Sequence, residues 1–168
     1  IALALTTRLK RIVYISTIAA AYTDTGDAIG EDADVREAIP SFRSRDGYAV
    51  GYATSKWAGE VLLREAYERF GLPVNVFRSN MILAHRTYQG QLNVPDVFTR
   101  FLISLAQTQI APPSFYSGNA KDAHYEGLPV DFVAQATVEI GEHYAKAHQT
   151  FHIVNPHDDG VSMDSFVV

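Results

Sequence analysis

Three segments determine the fold class of this chain. Residues 11–17, RIVYIST, form a short run of β-branched and aromatic side chains, which is typical of a strand buried in a parallel sheet. Residues 52–70 have helical periodicity and end before Gly71 and Pro73, and residues 74–82, VNVFRSNMI, repeat the strand pattern. This strand–helix–strand order predicts an α/β fold with a mainly parallel sheet.

The rest of the chain continues the alternation. Helical periodicity returns at residues 94–107 and 130–146, and a third strand is predicted at residues 150–156. Residues 23–47 are polar and acidic, which predicts a long loop of the kind that often forms a lid. Ser162 is a plausible N-cap of a last helix, so we expect the chain to be an excerpt that stops inside that helix.

The helix predicted at residues 52–70 has two kinds of face. Glu60, Arg64 and Glu68 recur every fourth residue, which predicts a solvated face of stacked charges. Gly59 suggests close packing, and Trp57 is expected to be a packing anchor. Apolar bulk is expected elsewhere on the helix, from Val61, Leu62, Ala66 and Phe70.

Composition excludes several classes of function. The chain has 168 residues, 47% hydrophobic and 20% charged, which is enough to bury a core. Its net charge of −5, without a basic block, argues against binding to nucleic acid or to an anionic membrane surface. The absence of cysteine excludes disulfides and fits a reducing cytoplasm. No apolar run reaches the roughly 18 residues of a membrane span. The histidines form no ligand motif, so no metal site is predicted.

Tyr52 and Lys56 are the first candidates for chemistry. They lie four residues apart at the start of the predicted helix, so both occupy one face. Free tyrosine is a poor acid or base at neutral pH, and a neighbouring ammonium stabilises its phenolate form. Such a pair can give a proton to a carbonyl oxygen that becomes an alkoxide, and the lysine can donate to a ribose hydroxyl. The spacing alone also fits an ordinary surface helix.

Hydroxyl groups end the first predicted strand, at Ser16 and Thr17. The carboxyl edge of a parallel sheet is where such folds bind ligands, so a hydroxyl there can bond to a substrate carbonyl. The alternative is a threonine present for its β propensity. The helix with Tyr52 and Lys56 that follows favours the functional interpretation.

Together these segments are recognisable. Residues 12–17, 51–60 and 77–80 resemble the extended short-chain dehydrogenase/reductases. More narrowly, the chain resembles the thioester reductase domains that end carboxylic acid reductases and some nonribosomal peptide synthetases. The resemblance is most specific at residues 51–66 and covers essentially the whole chain, with later landmarks at residues 127–134, 151–156 and 160–166.

The resemblance implies the C-terminal part of a Rossmann-like, doubly wound parallel sheet with a smaller substrate-binding lobe. Residues 1–83 would form the C-terminal half of the dinucleotide-binding core, including the catalytic helix. Residues 84–128 would form the lobe that receives substrate and carrier, and residues 129–168 would return to the core and start the final helix.

The resemblance also implies the chemistry. Thr17, Tyr52 and Lys56 would be the catalytic residues, with Ser16 as the alternative to Thr17. Ser16, Tyr52, Lys56 and Asn80 would contact NADPH. The substrate would be an acyl thioester on the phosphopantetheine arm of a carrier domain, reduced to an aldehyde with release of the thiol. NADPH rather than NADH is implied by the family alone, because these residues contain no Gly-rich pyrophosphate turn.

Two alternatives stay open at this point. One is a nucleotide-sugar epimerase or dehydratase of the same superfamily, against which the surroundings of Trp57 and the long acidic loop argue. The other is a catalytically silent fragment or interaction module, which the missing Gly-rich turn suggests. For the same reason we expect the 168 residues as a separate chain neither to bind NADPH tightly nor to reduce thioesters.

Overall fold

A computed structural model of the chain describes residues 1–23, 25–40, 50–90, 93–117, 126–144, 147–157 and 160–167. Its helices are α1 (Ala2–Leu5), α2 (Val35–Ala38), α3 (Val50–Phe70), α4 (Val97–Thr108), α5 (Val130–His143) and α6 (Met163–Phe166). Its strands are β1 (Ile12–Thr17), β2 (Val74–Ser79), β3 (Met81–Leu83), β4 (Gly127–Pro129) and β5 (His148–Ile153), and a 3-10 turn covers Ile18–Ala21. The described chain divides into two compact units, the first formed by Ile1–Asn80 and Phe132–Val154, the second by Met81–Asp131 and Asn155–Val168.

The first unit is built on a three-stranded sheet with the order β1-β2-β5. Both pairs are parallel, and Thr17 pairs with Ser79, which pairs in turn with Ile153. Every residue of β2 is buried, as expected for a central strand covered on both faces. The α/β fold with a parallel sheet is therefore confirmed, and the carboxyl ends of its three strands lie at one edge.

Part of the predicted acidic loop is packed structure. Ile29, Val35 and Ile39 are buried in a cluster against which Trp57 packs. The Trp57 indole Nε1 also donates to the Ile39 carbonyl oxygen at 3.1 Å, which confirms Trp57 as a packing anchor. Residues 41–49 of that predicted loop lie outside the described residues.

The strand predicted over residues 74–82 is wrong in its length. The chain forms β2 up to Ser79, and the Asn80 backbone N–H donates to the Ile153 carbonyl at 3.2 Å. Met81 then begins β3, which pairs in parallel with β4 in a separate sheet. Because apolar residues resume at Met81 and Ile82, directly after Asn80, the sequence pattern predicts one strand and does not show this break.

The faces predicted for α3 need correction. Arg64 and Glu68 do form an exposed ion pair at 3.0 Å, but Glu60 is only 3% exposed. Of the residues expected to supply apolar bulk elsewhere on the helix, Ala66 is buried, whereas Leu62 and Phe70 are exposed. The buried stripe of α3 consists of Ala53, Glu60, Leu63 and Ala66. Glu60 lies in this stripe because its partner is a buried arginine on β2.

The second unit contains the two-stranded sheet of β3 and β4, with α4 and α6. Asp96 caps α4 through a bond of 2.7 Å from Thr99 N–H, and Ser162 caps α6 through a bond from Ser165 N–H, which confirms the predicted cap. This unit holds a cavity of about 730 Å³ lined mostly by apolar side chains, including Met81, Leu83 and Phe98. Within the described ranges, no helix has the length and apolar character needed to cross a membrane.

Candidate active site

The structure brings Tyr52 and Lys56 together on one face of α3, next to the end of β1. The Lys56 ammonium lies 5.7 Å from the centroid of the Tyr52 ring. It also lies 5.4 Å from the centroid of the Tyr14 ring and donates to the Ile15 carbonyl oxygen at 2.8 Å. Both ring distances are within the range of a cation–π contact. The lysine is thus held beside two phenols, while the Tyr52 side chain stays 53% exposed and accessible to a ligand.

Tyr14 is a neighbour of this site that the sequence analysis missed. Its hydroxyl donates to the Lys56 carbonyl oxygen at 3.4 Å. Burial raises the pKa of Tyr14, and the charge of Glu60 raises it further, so Tyr14 stays neutral beside the ammonium. In the sequence, the glycine at position 59 within the helix already indicated a close contact. The structure shows that this contact is with Tyr14, because a Cβ at residue 59 would lie 2.2 Å from the Tyr14 hydroxyl oxygen. The close packing predicted at Gly59 is confirmed.

Thr17 ends β1 at the carboxyl edge of the sheet. Its side chain is buried, and its Oγ1 accepts a hydrogen bond from Ala19 N–H at 3.3 Å, which caps the 3-10 turn. This bond uses a lone pair of the oxygen and leaves the hydroxyl hydrogen to donate. The structure thus provides a structural reason for a threonine at this position, and its catalytic role stays a prediction.

Ser16 points to α3 and lies in the interior. It is 3% exposed, and its Oγ donates to the Glu60 carboxylate. Glu60 in turn pairs with Arg78 on β2 at 2.7 Å. In this arrangement the Ser16 hydroxyl binds Glu60 on α3. The contact between Ser16 and a cofactor stays a prediction.

Ser79 is a second residue that the sequence analysis missed. It ends β2 directly before Asn80, is 4% exposed, and its hydroxyl has no hydrogen-bond partner among the residues that the structure describes. A buried hydroxyl without a partner costs about 1–3 kcal/mol, so such a group at a ligand-binding edge suits a polar group of a ligand. Asn80 follows the same strand, and the structure describes its backbone bond to Ile153.

Comparison with known proteins gives a consistent result. A family profile described as "Male sterility protein" matches residues 1–137. A carboxylic acid reductase of Mycobacterium tuberculosis is 55% identical over 98% of this chain and 14% of its own length. The crystal structure of the reductase (R) domain of a nonribosomal peptide synthetase from Mycobacterium tuberculosis superimposes with a TM-score of 0.84 and 47% identity, covering 98% of this chain and 40% of that one.

A more distant match shows the fold alone. The crystal structure of a UDP-galactose 4-epimerase has a TM-score of 0.56 and 18% identity, over 92% of this chain and 45% of the epimerase. The chain therefore spans a minor part of the reductases and of the epimerase that it matches.

Proposed function

This chain belongs to the family described as Male sterility protein, among the extended short-chain dehydrogenase/reductases, and on that premise we propose that it is part of an NADPH-dependent thioester reductase. Its substrate would be an acyl thioester on a carrier domain, and its products an aldehyde and the free carrier thiol. The observation that carries this proposal is the Lys56 ammonium beside the exposed Tyr52 ring, at the carboxyl edge of a parallel sheet.

The described residues support a proposal for part of a dinucleotide site. The Lys56 ammonium can donate to ribose hydroxyls, and the unpartnered Ser79 hydroxyl offers a further polar contact at the same edge. These groups fit the nicotinamide–ribose half of NADPH. The sequence contains no Gly-rich turn for the pyrophosphate, so these residues would hold one end of the cofactor.

The residues of this chain would act on the thioester carbonyl oxygen. NADPH, when bound, supplies a hydride to the carbonyl carbon. The hydroxyls of Thr17 and Tyr52 donate to the oxygen as negative charge develops on it. Tyr52 then transfers its proton to that oxygen, and the Lys56 ammonium stabilises the phenolate that is left. The hydroxyl of the resulting hemithioacetal then returns its proton to the Tyr52 phenolate as the carbon–sulfur bond breaks. This leaves the aldehyde and a thiolate, which takes a proton from water to become the free thiol.

The second unit supports an acyl substrate. Its cavity of about 730 Å³ falls within the usual size range of small-molecule pockets, and its lining is mostly apolar. An apolar acyl chain suits this lining, because burying its surface against apolar side chains is favourable. We therefore assign the binding of the acyl group to the second unit, which includes residues 84–128. The binding of the carrier arm to the same residues is what the resemblance to thioester reductase domains implies.

Substitution of Tyr52 and Lys56 in the full-length protein tests the proposal. The assay follows NADPH oxidation and aldehyde formation with acetyl-, octanoyl- and benzoyl-pantetheine thioesters. Tyr52→Phe should lower turnover by about 10²-fold or more, the usual size of a lost general acid, while NADPH binding survives. Lys56→Ala should weaken NADPH binding as well, because the lysine is assigned to the ribose.

Tyr67→Phe is the matched control, since Tyr67 lies on the same helix but its ring contacts His148, with the ring centroids 5.7 Å apart. It should leave turnover unchanged. Near wild-type turnover of Tyr52→Phe would rule out the assigned role, and equal rates with NADH would remove the preference for NADPH.

A further inference from the structure

A largely buried cluster of polar side chains connects α3 to all three strands of the sheet β1-β2-β5. Arg78 Nη2 lies 2.7 Å from Glu60 Oε2, and Arg78 Nε donates to both carboxylate oxygens at 3.1 and 3.2 Å. Ser16 Oγ donates to Glu60 Oε1, and Arg78 Nη1 lies 3.2 Å from His152 Nε2. The charged and polar groups of this cluster thus form hydrogen bonds with one another inside the protein.

The cluster is better suited to fixing geometry than to adding stability. The side chains of Arg78 and Glu60 are 1% and 3% exposed, so both charges have lost their hydration. Well-packed apolar residues often stabilise a protein as much as such a pair does, because desolvation offsets the attraction of the charges. Apolar side chains cannot reproduce the planar guanidinium fork, which fixes a carboxylate in both distance and direction.

The cluster lies one helical turn from the candidate active site. Glu60 follows Lys56 by four residues on α3, so the two side chains are neighbours on one face. Ser16, which binds Glu60, directly precedes Thr17 on β1. Helix α3 is therefore bonded to β1 at two successive residues, through Lys56 Nζ to the Ile15 carbonyl and through Glu60 to Ser16.

We propose that Glu60 is a positioning residue, held by Arg78 and Ser16, that fixes the position of helix α3 along strand β1. That position determines the distance between the Tyr52 hydroxyl on α3 and the Thr17 hydroxyl on β1. This inference rests on the proposed function, in which both hydroxyls bind one carbonyl oxygen. Because a displacement of about 1 Å can reduce a rate by about 10²-fold, loosening this connection lowers turnover even when the fold survives.

The double variant Glu60→Leu/Arg78→Met in the full-length protein is the main test. It removes both charges together, so no unpaired buried charge is left to unfold the protein. With NADPH and the pantetheine thioesters above, kcat should fall at least about fivefold, while the KM for NADPH and the thermal midpoint stay near wild type. A folded double variant whose kcat falls less than this would overturn the proposal.

Arg36→Met/Glu68→Leu is the matched control, because it makes the same changes at a more exposed ion pair between α2 and α3, where Arg36 Nη2 lies 2.7 Å from Glu68 Oε1. It should leave kcat unchanged. An equal fall in this control would overturn the proposal, since any loss of an ion pair on α3 would then suffice.

Ser16 provides a second test that decides the matter if the double variant does not fold. Ser16→Ala removes the bond between Glu60 and β1 but keeps the ion pair, so kcat should fall with the KM for NADPH unchanged, and Ser16→Thr should restore it. A raised KM with unchanged kcat would show a cofactor contact and overturn the proposal. A wild-type protein inactive on all three thioesters would refute the proposed function, whereas an active wild type with unaffected variants refutes this inference alone.

Discussion

Gly59→Ala tests how closely α3 packs on β1. A Cβ at this position would lie 2.2 Å from the Tyr14 hydroxyl oxygen and 2.7 Å from Cζ of the ring. Alanine favours a helix over glycine by about 1 kcal/mol, whereas an extra carbon in a packed contact costs about 1–3 kcal/mol. The rigid ring must also move, which breaks the bond of the Tyr14 hydroxyl to the Lys56 carbonyl. We therefore expect a net loss of about 1–2 kcal/mol in the free energy of unfolding.

Gly141→Ala provides a control of the opposite sign. Gly141 lies in α5 and approaches β1 at Val13, where a Cβ would meet Val13 Cγ2 at 3.7 Å, an ordinary van der Waals distance. Here the gain in helix propensity has no steric cost, so stability should rise by up to about 1 kcal/mol. Urea denaturation followed by the helical circular dichroism signal measures both variants.

A third variant identifies the contact responsible. Tyr14→Val removes the ring that the new methyl group of Gly59→Ala meets. The free energy of unfolding lost in the double variant should therefore be about 1 kcal/mol smaller than the sum of the losses in the two single variants. If Gly59→Ala is as stable as the wild type, the reasoning from the close contact with Tyr14 is refuted.

Two further changes test the packing around α3. Burial and the neighbouring charge of Arg64 lower the pKa of His148 from 6.5 to about 4, so the unfolded state binds the proton first. The free energy of unfolding should therefore fall as the pH falls from 6.5 to 4. In a series of denaturation curves at different pH values, His148→Gln should reduce this dependence on pH, and an unchanged dependence would contradict the prediction. The hydrogen bond to Arg36 lowers the pKa of Asp34 from 3.8 to about 2. The stability that ionised Asp34 contributes is therefore lost only below pH 3.8, outside the pH range that tests His148. Trp57→Phe keeps an aromatic ring but removes the donor to the Ile39 carbonyl, which should cost about 1 kcal/mol in urea denaturation; wild-type stability would show that the bond contributes nothing.

Features that depend on neighbours in sequence were predictable. The spacing of Tyr52 and Lys56 places them on one face of any α-helix, and the structure brings them together. The strand ending at Thr17 and the cap at Ser162 follow equally from local patterns. Each depends on backbone geometry that repeats within one or two turns or a few residues.

The face of Glu60 was not predictable in this way. Spacing groups it with Arg64 and Glu68, and both an exposed and a buried position fit that pattern. Glu60 is buried because Arg78, which lies 18 residues later and on another element, supplies the opposite charge. Burial of a charge depends on its partner, and periodicity contains no information about a partner on a separate strand.

By itself, the sequence determined the parallel α/β fold, the pairing of Tyr52 with Lys56 and the resemblance to reductases. Only the tertiary structure decided that Tyr14 lies beside Lys56, that the Ser79 hydroxyl is buried without a partner among the described residues, and that the chain leaves the sheet after β2. The physical reason is that helix and strand periods are set by dihedral angles along a short stretch of backbone. Burial, hydrogen-bond partners and the end of a strand are instead set by contacts between residues far apart in the chain.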